Sequence, residues 1–427
     1  MSEEHTEPRD AHGLSDGLLA DTLGYARARE YTGWDYADGM SSRLLQRAPI
    51  DNRWVNLAVQ ETIKRAPVNI RPLMRVEQRR NYKGIALFAF ANLRAHQLGL
   101  GTGLESNRDA TGGGSRDAVD YATEARTLCD WLVEERTPGH AGFCGASRHE
   151  IQYPDFKGLP SYPDLVSTSY AVSALLAASE AGLDADSPHD YAATVRSVED
   201  FVVEDLEYEE IPAGARCKYV PAWSGEHYTL NAVALGARAL LEVGSRFDAE
   251  RPRERGRKLL DYVVSRQTER GGWMYRDPPE ASHLSMDNHH NGFVVECLLA
   301  YDALVGDGRY DDALDRGLAF YREALFETSG APNWDESSAY PRDIHAAAQG
   351  IIVFSRAGDL AFAERIVDWT LSQLYAGGGR FYYRKERFYT NRTTLMRWCQ
   401  AWMAHALATY LRCRARADPA GGTVGTG

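Results

Sequence analysis

Two kinds of helical segment alternate along this chain from about residue 52 to residue 413, and that alternation limits the fold more than any other feature. One kind is amphipathic. From His189 onward, Tyr191, Val195, Val198 and Val202 are spaced i, i+4, i+7 and i+11; Leu314, Leu318, Tyr321 and Leu325 repeat that spacing after Arg309. A single apolar stripe at helical period buries one face and wets the other. These segments, with similar ones beginning near Asn52, Asp117, Arg253 and Leu360, are expected as outer helices. The other kind is apolar or small on nearly every side, as in YAVSALLAAS from Tyr170, NAVALGARALL from Asn231 and NGFVVECLLAY from Asn291. Such a helix has no face for water. These segments start near Asn81, Asp164, His227, His289, Arg342 and Asn391, about every 62 residues, and are expected as inner helices.

A linear stack would leave a flank of every inner helix wet, whereas a closed ring covers both flanks. The expected fold is therefore all-α: an (α/α)₆ toroid of six helical hairpins, with short β-hairpin-like loops on one rim. It is read as a single domain over 1–427, with an arm over 1–50, the toroid over 51–413 and a disordered tail over 414–427. The Gly-, Asn- and Ser-rich stretch from Gly99 to Ser115 is expected as a surface loop.

The two sets of connections differ in chemistry. Segments leading into inner helices run Gly-rich, then aromatic, then charged: GHAGFCGASRHE from Gly139, ERGGWMYRDPP from Glu269, GAPNWDESSAYPRD from Gly330 and GGGRFYYRKERFYTNR from Gly377. The reverse connections, such as EAGLDADSPHD from Glu180, are plain acidic turns. Binding residues concentrate on irregular connections held by a rigid scaffold, so a site is expected at the mouth of the ring on the rich rim.

Composition narrows the partners. The formal net charge is −12, with no basic cluster to reverse it locally, which excludes nucleic acid and anionic membrane surfaces as expected partners. Only six of the 48 basic residues are Lys. Few lysines among abundant acids is the pattern of a protein adapted to a salty cytoplasm, although a GC-rich genome also favours Arg. The six cysteines lie far apart without a CxxC pair and are expected as buried free thiols. The polar N-terminal stretch and the lack of any long apolar run point to a cytoplasmic protein without a membrane span. No GxGxxG or P-loop occurs, so no cofactor is expected.

Short polar clusters open nearly every inner helix. Asp, Asn and Ser there serve as helix caps, a role that accounts for Asp164, Asp343 and Asn391 singly. Capping does not account for His recurring in three successive repeats, nor for Arg at helix starts, where positive charge opposes the dipole. The segment MDNHHNG is the sharpest cluster: Asp287, His289 and His290 can supply a general acid or base near neutral pH. No metal is expected, because tandem histidines should point their rings apart and no HExxH occurs. In YTGWDYADGMSS from Tyr31, the arm either plugs the barrel end or brings a carboxylate such as Asp35 over the mouth. Asp35, Glu226, Asp287, Glu336 and Asp343 form the pool for a catalytic carboxylate pair, with Asp287, His290, His289, Asp35, Glu226 and Asp343 as the catalytic candidates.

Aromatic rings on the rich rim, among them Tyr153, Tyr219, Trp223, Trp273, Tyr275, Trp334 and Tyr383, suit the flat C–H faces of sugars, although part of the set is core packing. Arginines suit a carboxylate, which a planar guanidinium binds bidentately. Arg80, His149, His227, Trp273, Trp334, His345, Tyr383, Arg384, Arg392 and Arg397 are the expected substrate-binding residues.

The six-hairpin pattern resembles the superfamily of (α/α)₆ glycosidases, lyases and uronate epimerases. With YTGWDYADGMSS, it also resembles AglQ-type proteins of haloarchaeal N-glycosylation. The resemblance implies an enzyme on a uronic-acid-containing sugar or lipid-linked glycan, first an isomerase or epimerase in S-layer N-glycan assembly, then a hydrolase or lyase. A glycan-binding toroid without catalysis is the third reading. Gln267, Gly271 and Trp273 also resemble half of the repeat of squalene-cyclase toroids, and Asp311, Asp312 and Asp315 spell DDxxD, but the DxDD acid motif of those cyclases is absent.

Overall fold

The computed structural model describes residues 11–48, 51–101, 119–153, 156–221 and 225–418. Trp223, most of the Gly99–Ser115 stretch and the chain beyond Asp418 lie outside the described residues. Helices α1 (Ala11–Arg27), α2 (Arg43–Arg47) and α3 (Arg53–Arg65) precede α4 (Tyr82–Gln97) and α5 (Tyr121–Glu134). The chain continues through α6 (Leu165–Glu180), α7 (Tyr191–Val195), α8 (Val198–Asp200), α9 (Leu230–Arg246) and α10 (Glu250–Ser265). Helices α11 (Asn288–Leu304), α12 (Asp311–Ala324), α13 (Ile344–Arg356), α14 (Leu360–Leu374) and α15 (Trp402–Ala417) complete it.

The inner helices close into a ring. Each of α4, α6, α9, α11, α13 and α15 packs against the next, and α15 returns to α4. Nearly every residue of α6 and α13 is buried, as expected of helices without a polar face. Helices α5, α7, α10, α12 and α14 each pack outside the inner helix that precedes them. The sequence places the remaining outer helix at Asn52, but α3 packs on the 3₁₀ turn Asp38–Ser41 and the strand Ile151–Gln152 instead. The sixth outer position belongs to α1, which lies against α15 and α4 and buries Leu19, Leu23 and Ala26. Residues 11–27 are thus part of the ring rather than of an arm.

Because an outer helix separates successive inner helices, all inner helices run the same way and their N-termini meet at one rim. That rim is stitched by two- and three-residue strands. Tyr228–Thr229 pairs antiparallel with Arg276–Asp277, and Arg384–Lys385 pairs with both Arg342–Asp343 and Thr390–Asn391. The segment after α1 joins the rim through the bridges Gly33↔Arg79 and Ser42↔Val76. A side chain at Gly33 would stand 2.6 Å from Met396 Cβ, so only glycine permits this approach.

Below the mouth the ring is filled. Trp402 is fully buried, with ring centroids 5.3 Å from Tyr170 and 5.5 Å from Phe293. Deeper still, Glu296 accepts hydrogen bonds from Arg238 Nη1 (3.0 Å), Gln349 Nε2 (2.8 Å) and Tyr170 Oη (3.4 Å). One carboxylate thereby ties α6, α9, α11 and α13. Burial would raise its pKa, but Arg356 and Arg238 outweigh burial and hold it down at about 2. Removing one partner of a buried ion network leaves the other charge uncompensated. Glu296→Ala is therefore expected to lower unfolding free energy by about 3–5 kcal/mol, measured by urea titration. A loss below about 1 kcal/mol, the range of a solvent-exposed pair, would show that the network does not hold the ring.

Candidate functional site

Asp287 caps α11 by accepting from the His290 backbone N–H (3.3 Å), and its Oδ2 lies 2.8 Å from His290 Nδ1. His289 Nδ1 lies 3.4 Å from the other carboxylate oxygen. The tandem rings do not diverge as the sequence suggests; their centroids are 4.0 Å apart. The cap draws both first-turn imidazoles onto one carboxylate. Asp287, His289 and His290 each bring a ligand atom within 4.8 Å of the others, which is compact enough for a cation. The short Nδ1 contact joins His290 and Asp287 as a hydrogen-bonded pair.

The neighbouring repeats supply the rest. His345, in the first turn of α13, stacks between His289 (centroids 4.7 Å) and Trp402 (4.2 Å) and meets the edge of Trp398 at 4.5 Å. Both of its ring nitrogens are buried without a hydrogen-bond partner among the described residues. Trp398 belongs to a turn of π-helix, Met396–Ala401, that leads into α15, and it stacks on Tyr36 of the arm at 4.0 Å. Arg397, in the same turn, grips Asp35 bidentately, with Nη2–Oδ1 at 2.7 Å and Nε–Oδ2 at 2.8 Å. His149 Nε2 lies 3.8 Å from Asp35. Asp38 accepts from the Asp35 backbone N–H at 3.0 Å and anchors the arm by a buried pair with Arg71 at 2.9 Å.

Burial sets the protonation states. It lowers His289 to about 3, helped by His290, and lowers His149 to about 4, while His345 falls well below the ordinary value. These imidazoles are neutral at physiological pH. Burial pushes the other way on Asp35 and Asp287, but Arg397 and His290 respectively outweigh it and keep both carboxyls ionised. Asp343 behaves differently. It accepts from His345 N–H and Trp398 Nε1, both at 2.8 Å, yet burial dominates and raises it to about 6.

The sequence candidates divide accordingly. Asp287, His289, His290, His345, Asp35, His149 and Arg397 gather at the ring axis, bordered by Tyr383, whose ring lies 6.0 Å from that of Tyr36. Asp343 stands behind them, holding His345 and Trp398. Others lie elsewhere. Trp273 is buried between outer helices, donating Nε1–H to Val263 O at 2.9 Å, and serves the core rather than a ligand. Gln267 bonds Gly271 O and Ala313 O, so the cyclase-like motif is a tie between helix ends. Arg80 turns outward to Glu30 O (2.8 Å), and Arg384 pairs with Glu386 (2.7 Å). Arg392 is exposed beside a separate cavity of about 220 Å³ that Arg29 and Arg380 also line. Glu226 is exposed, and His227 and Trp334 are half-buried on the rim. Glu336 bonds Ser285.

One axial residue is missing from the sequence candidates. Lys83, in the first turn of α4, is half-buried, with Nζ 6.0 Å above the Trp402 ring. It was legible in one respect: it is one of six lysines, set at the start of an otherwise apolar helix.

No protein-family model matches the chain, and no curated protein is detectably similar to it. Solved structures do share its fold. Cellobiose 2-epimerase from Bacillus thermoamylovorans aligns over 78% of this chain and 88% of its own, with TM-score 0.58 and 12% identity. A family 76 glycoside hydrolase, an α-mannanase from Bacteroides thetaiotaomicron, aligns over 78% and 87% (TM-score 0.54, 12% identity). A polysaccharide lyase aligns over 96% and 99% (TM-score 0.56, 11% identity). What they share with this chain is the fold, a ring of helical hairpins. No helix among the described residues is long and apolar enough to cross a membrane.

The raised Asp343 pKa carries a stability prediction. An acid whose folded pKa exceeds its unfolded value weakens the fold as pH rises through the interval between them. From an ordinary 3.8 to about 6, that cost is on the order of 3 kcal/mol. Asp343→Asn keeps the accepting oxygen without the charge. It is expected to unfold at higher urea than wild type at pH 8, with the gap closing by pH 4. An unchanged gap across that range would place the charge elsewhere.

Proposed function

We propose that this protein is a sugar epimerase or isomerase that moves a proton on the carbon next to a sugar carbonyl, at the axis of the ring. The observation that carries this reading is the set of neutral, buried imidazoles: His289 and His345 beside the Asp287–His290 pair, and His149 beside Asp35. Neutral imidazole is the form that accepts a proton from carbon, and a carboxylate-held histidine returns it. Retaining and inverting glycosidases instead need a protonated carboxylic acid facing an ionised one. Here Asp35 and Asp287 are both held ionised, and Asp343 is occupied by Trp398 and the His345 backbone. The shared fold of a cellobiose 2-epimerase supports the same chemistry.

The substrate proposed is a reducing sugar, with uronic acids as the case to test beside neutral aldoses. Of the arginines that suggest a carboxylate, Arg397 is the one on the axis, and Asp35 already neutralises it. A uronate would therefore bind by displacing Asp35 from Arg397, and the arm would move with it. A place in S-layer N-glycan assembly is supported by the low-lysine composition and the AglQ-type resemblance. A lyase is the second reading, favoured by the nearly full-length alignment with a polysaccharide lyase; it too begins by removing a proton, at C5 of a uronate.

Proton NMR in D₂O, with glucose, mannose and glucuronic acid offered separately, tests this. Deuterium next to the carbonyl, together with signals of a second isomer, is expected from the wild type. His345→Phe, which keeps the stack on Trp402, is expected to lower the exchange rate by roughly 10²–10⁴-fold. Sugar released from a glycan without exchange would replace the proposal by a hydrolase, and an unsaturated uronate would replace it by the lyase.

A further inference from the structure

Lys83 is set apart from the other lysines by its surroundings. Lys64 pairs with Glu61, Lys157 with Glu150 and Asp51, and Lys258 with Glu210 and Glu254; Lys218 donates to Gly225 O. Lys83, like Lys385 in the rim strand Arg384–Lys385, has no side-chain ion pair or hydrogen bond among the described residues. Its amine stands over the Trp402 ring at the axis. The charged and titratable groups that face it come from every side of the mouth: Arg397 and Asp35 from the π-turn and the arm, Asp164 from the cap of α6, His289 from α11 and His345 from α13. The two carboxylates are otherwise engaged, Asp35 by Arg397 and Asp164 by the N–H and hydroxyl of Ser167 at 2.7 Å.

We infer that Lys83 is the covalent catalyst of this site, forming an imine with the open-chain carbonyl carbon of the sugar. The inference rests on the epimerase or isomerase reading for its substrate, but the amine's reactivity can be measured without turnover. A lysine becomes a nucleophile when it is desolvated or set beside another cation, and both conditions hold. Burial, with the Arg397 charge next in weight, brings its pKa down to about 7, so the free amine is abundant at neutral pH.

The step balances without an oxidant or reductant. The Nζ lone pair attacks the carbonyl carbon, the C=O π electrons move to oxygen, and a proton passes from nitrogen to that oxygen to give a carbinolamine. The hydroxyl then takes a proton and leaves as water while the C=N bond forms. The iminium draws electrons from the adjacent C–H bond, whose proton goes to a neighbouring imidazole. Return of a proton to the opposite face of the same carbon restores the iminium, and its hydrolysis releases the epimer and the free amine. The imine route therefore serves epimerisation, because a proton placed on the original carbonyl carbon would leave a C–N single bond that water does not cleave. His289 and His345, whose rings feel the charge of Lys83, are the imidazoles assigned to carry these protons.

The test is reductive trapping on the full chain. Protein is incubated with glyceraldehyde and cyanoborohydride at pH 7, and adducts are located by peptide mass spectrometry. Half-neutral at pH 7, an amine of this pKa outweighs its lower intrinsic nucleophilicity, so Lys83 should label roughly tenfold or more ahead of the other five lysines. Its labelling rate should rise with pH through about 7 and then level off. Lys83→Arg and Lys83→Met, checked for folding by circular dichroism, should lose both that adduct and deuterium exchange into sugar. Labelling spread evenly over the lysines, or led by Lys385, would overturn the inference. So would an unlabelled Lys83 whose variants still lose exchange, which would make it a proton carrier instead. Selective labelling in a protein that exchanges no sugar would uphold the reactive amine and remove the epimerase reading.

Discussion

Six helices with no face for water must cover one another, and closing them into a ring is the constraint from which the rest follows. Each inner helix is reached through an outer one, so all six run in the same direction. Six N-termini therefore converge on one mouth. Free N–H groups and the positive end of the helix dipole favour carboxylate and amide caps there, which is why Asn81, Asp164, Asp287 and Asp343 open four of these helices. The caps bring the first-turn side chains behind them to the axis. Lys83, His289, His290 and His345 are all first-turn residues.

Gathering so many polar groups in a buried place costs free energy, and the structure offsets it in two ways. The charges that persist are paired: Asp35 with Arg397 at the mouth, and Glu296 with Arg238 below. Groups for which burial outweighs any neighbouring carboxylate are neutral, as His149, His289 and His345 are. The same burial that makes the site expensive produces uncharged bases at physiological pH. The arm matters for the same reason, since Asp35 and Tyr36 complete the mouth only because Gly33 lets the chain pass against Met396.

The toroid was legible because its signal is repeated: inner-helix starts expected near Asn81, Asp164, His227, His289 and Arg342 fall within a few residues of the observed ones. The last helix is less regular, since residues after Asn391 form a strand and a π-turn before α15. Helix α1 escaped notice although Leu19, Leu23 and Ala26 keep helical spacing, because a preceding arm was a simpler account of a segment outside the repeat. At the site, the Asp287–His290 couple was legible because cap and first turn are local. Arg80 and Arg392 lie off the axis because sequence gives the rim on which an arginine sits but not the side to which it turns. Trp273 misled because a rim aromatic and a core aromatic have the same neighbours in sequence. Lys83 was hidden among caps, and its isolation from counter-ions is a property of the closed ring.

On the proposed reading, the chemistry takes place on the ring axis, among imidazoles from separate repeats. Long-range ¹H–¹⁵N NMR of protein labelled at its twelve histidines, titrated with a reducing sugar, tests it most directly. Neutral signals are expected for His149, His289 and His345 at pH 7, all shifting on addition of sugar, with His140, paired with Asp205, and His189, in the turn before α7, unmoved. Protonated axial histidines, or shifts confined to histidines away from the axis, would contradict it.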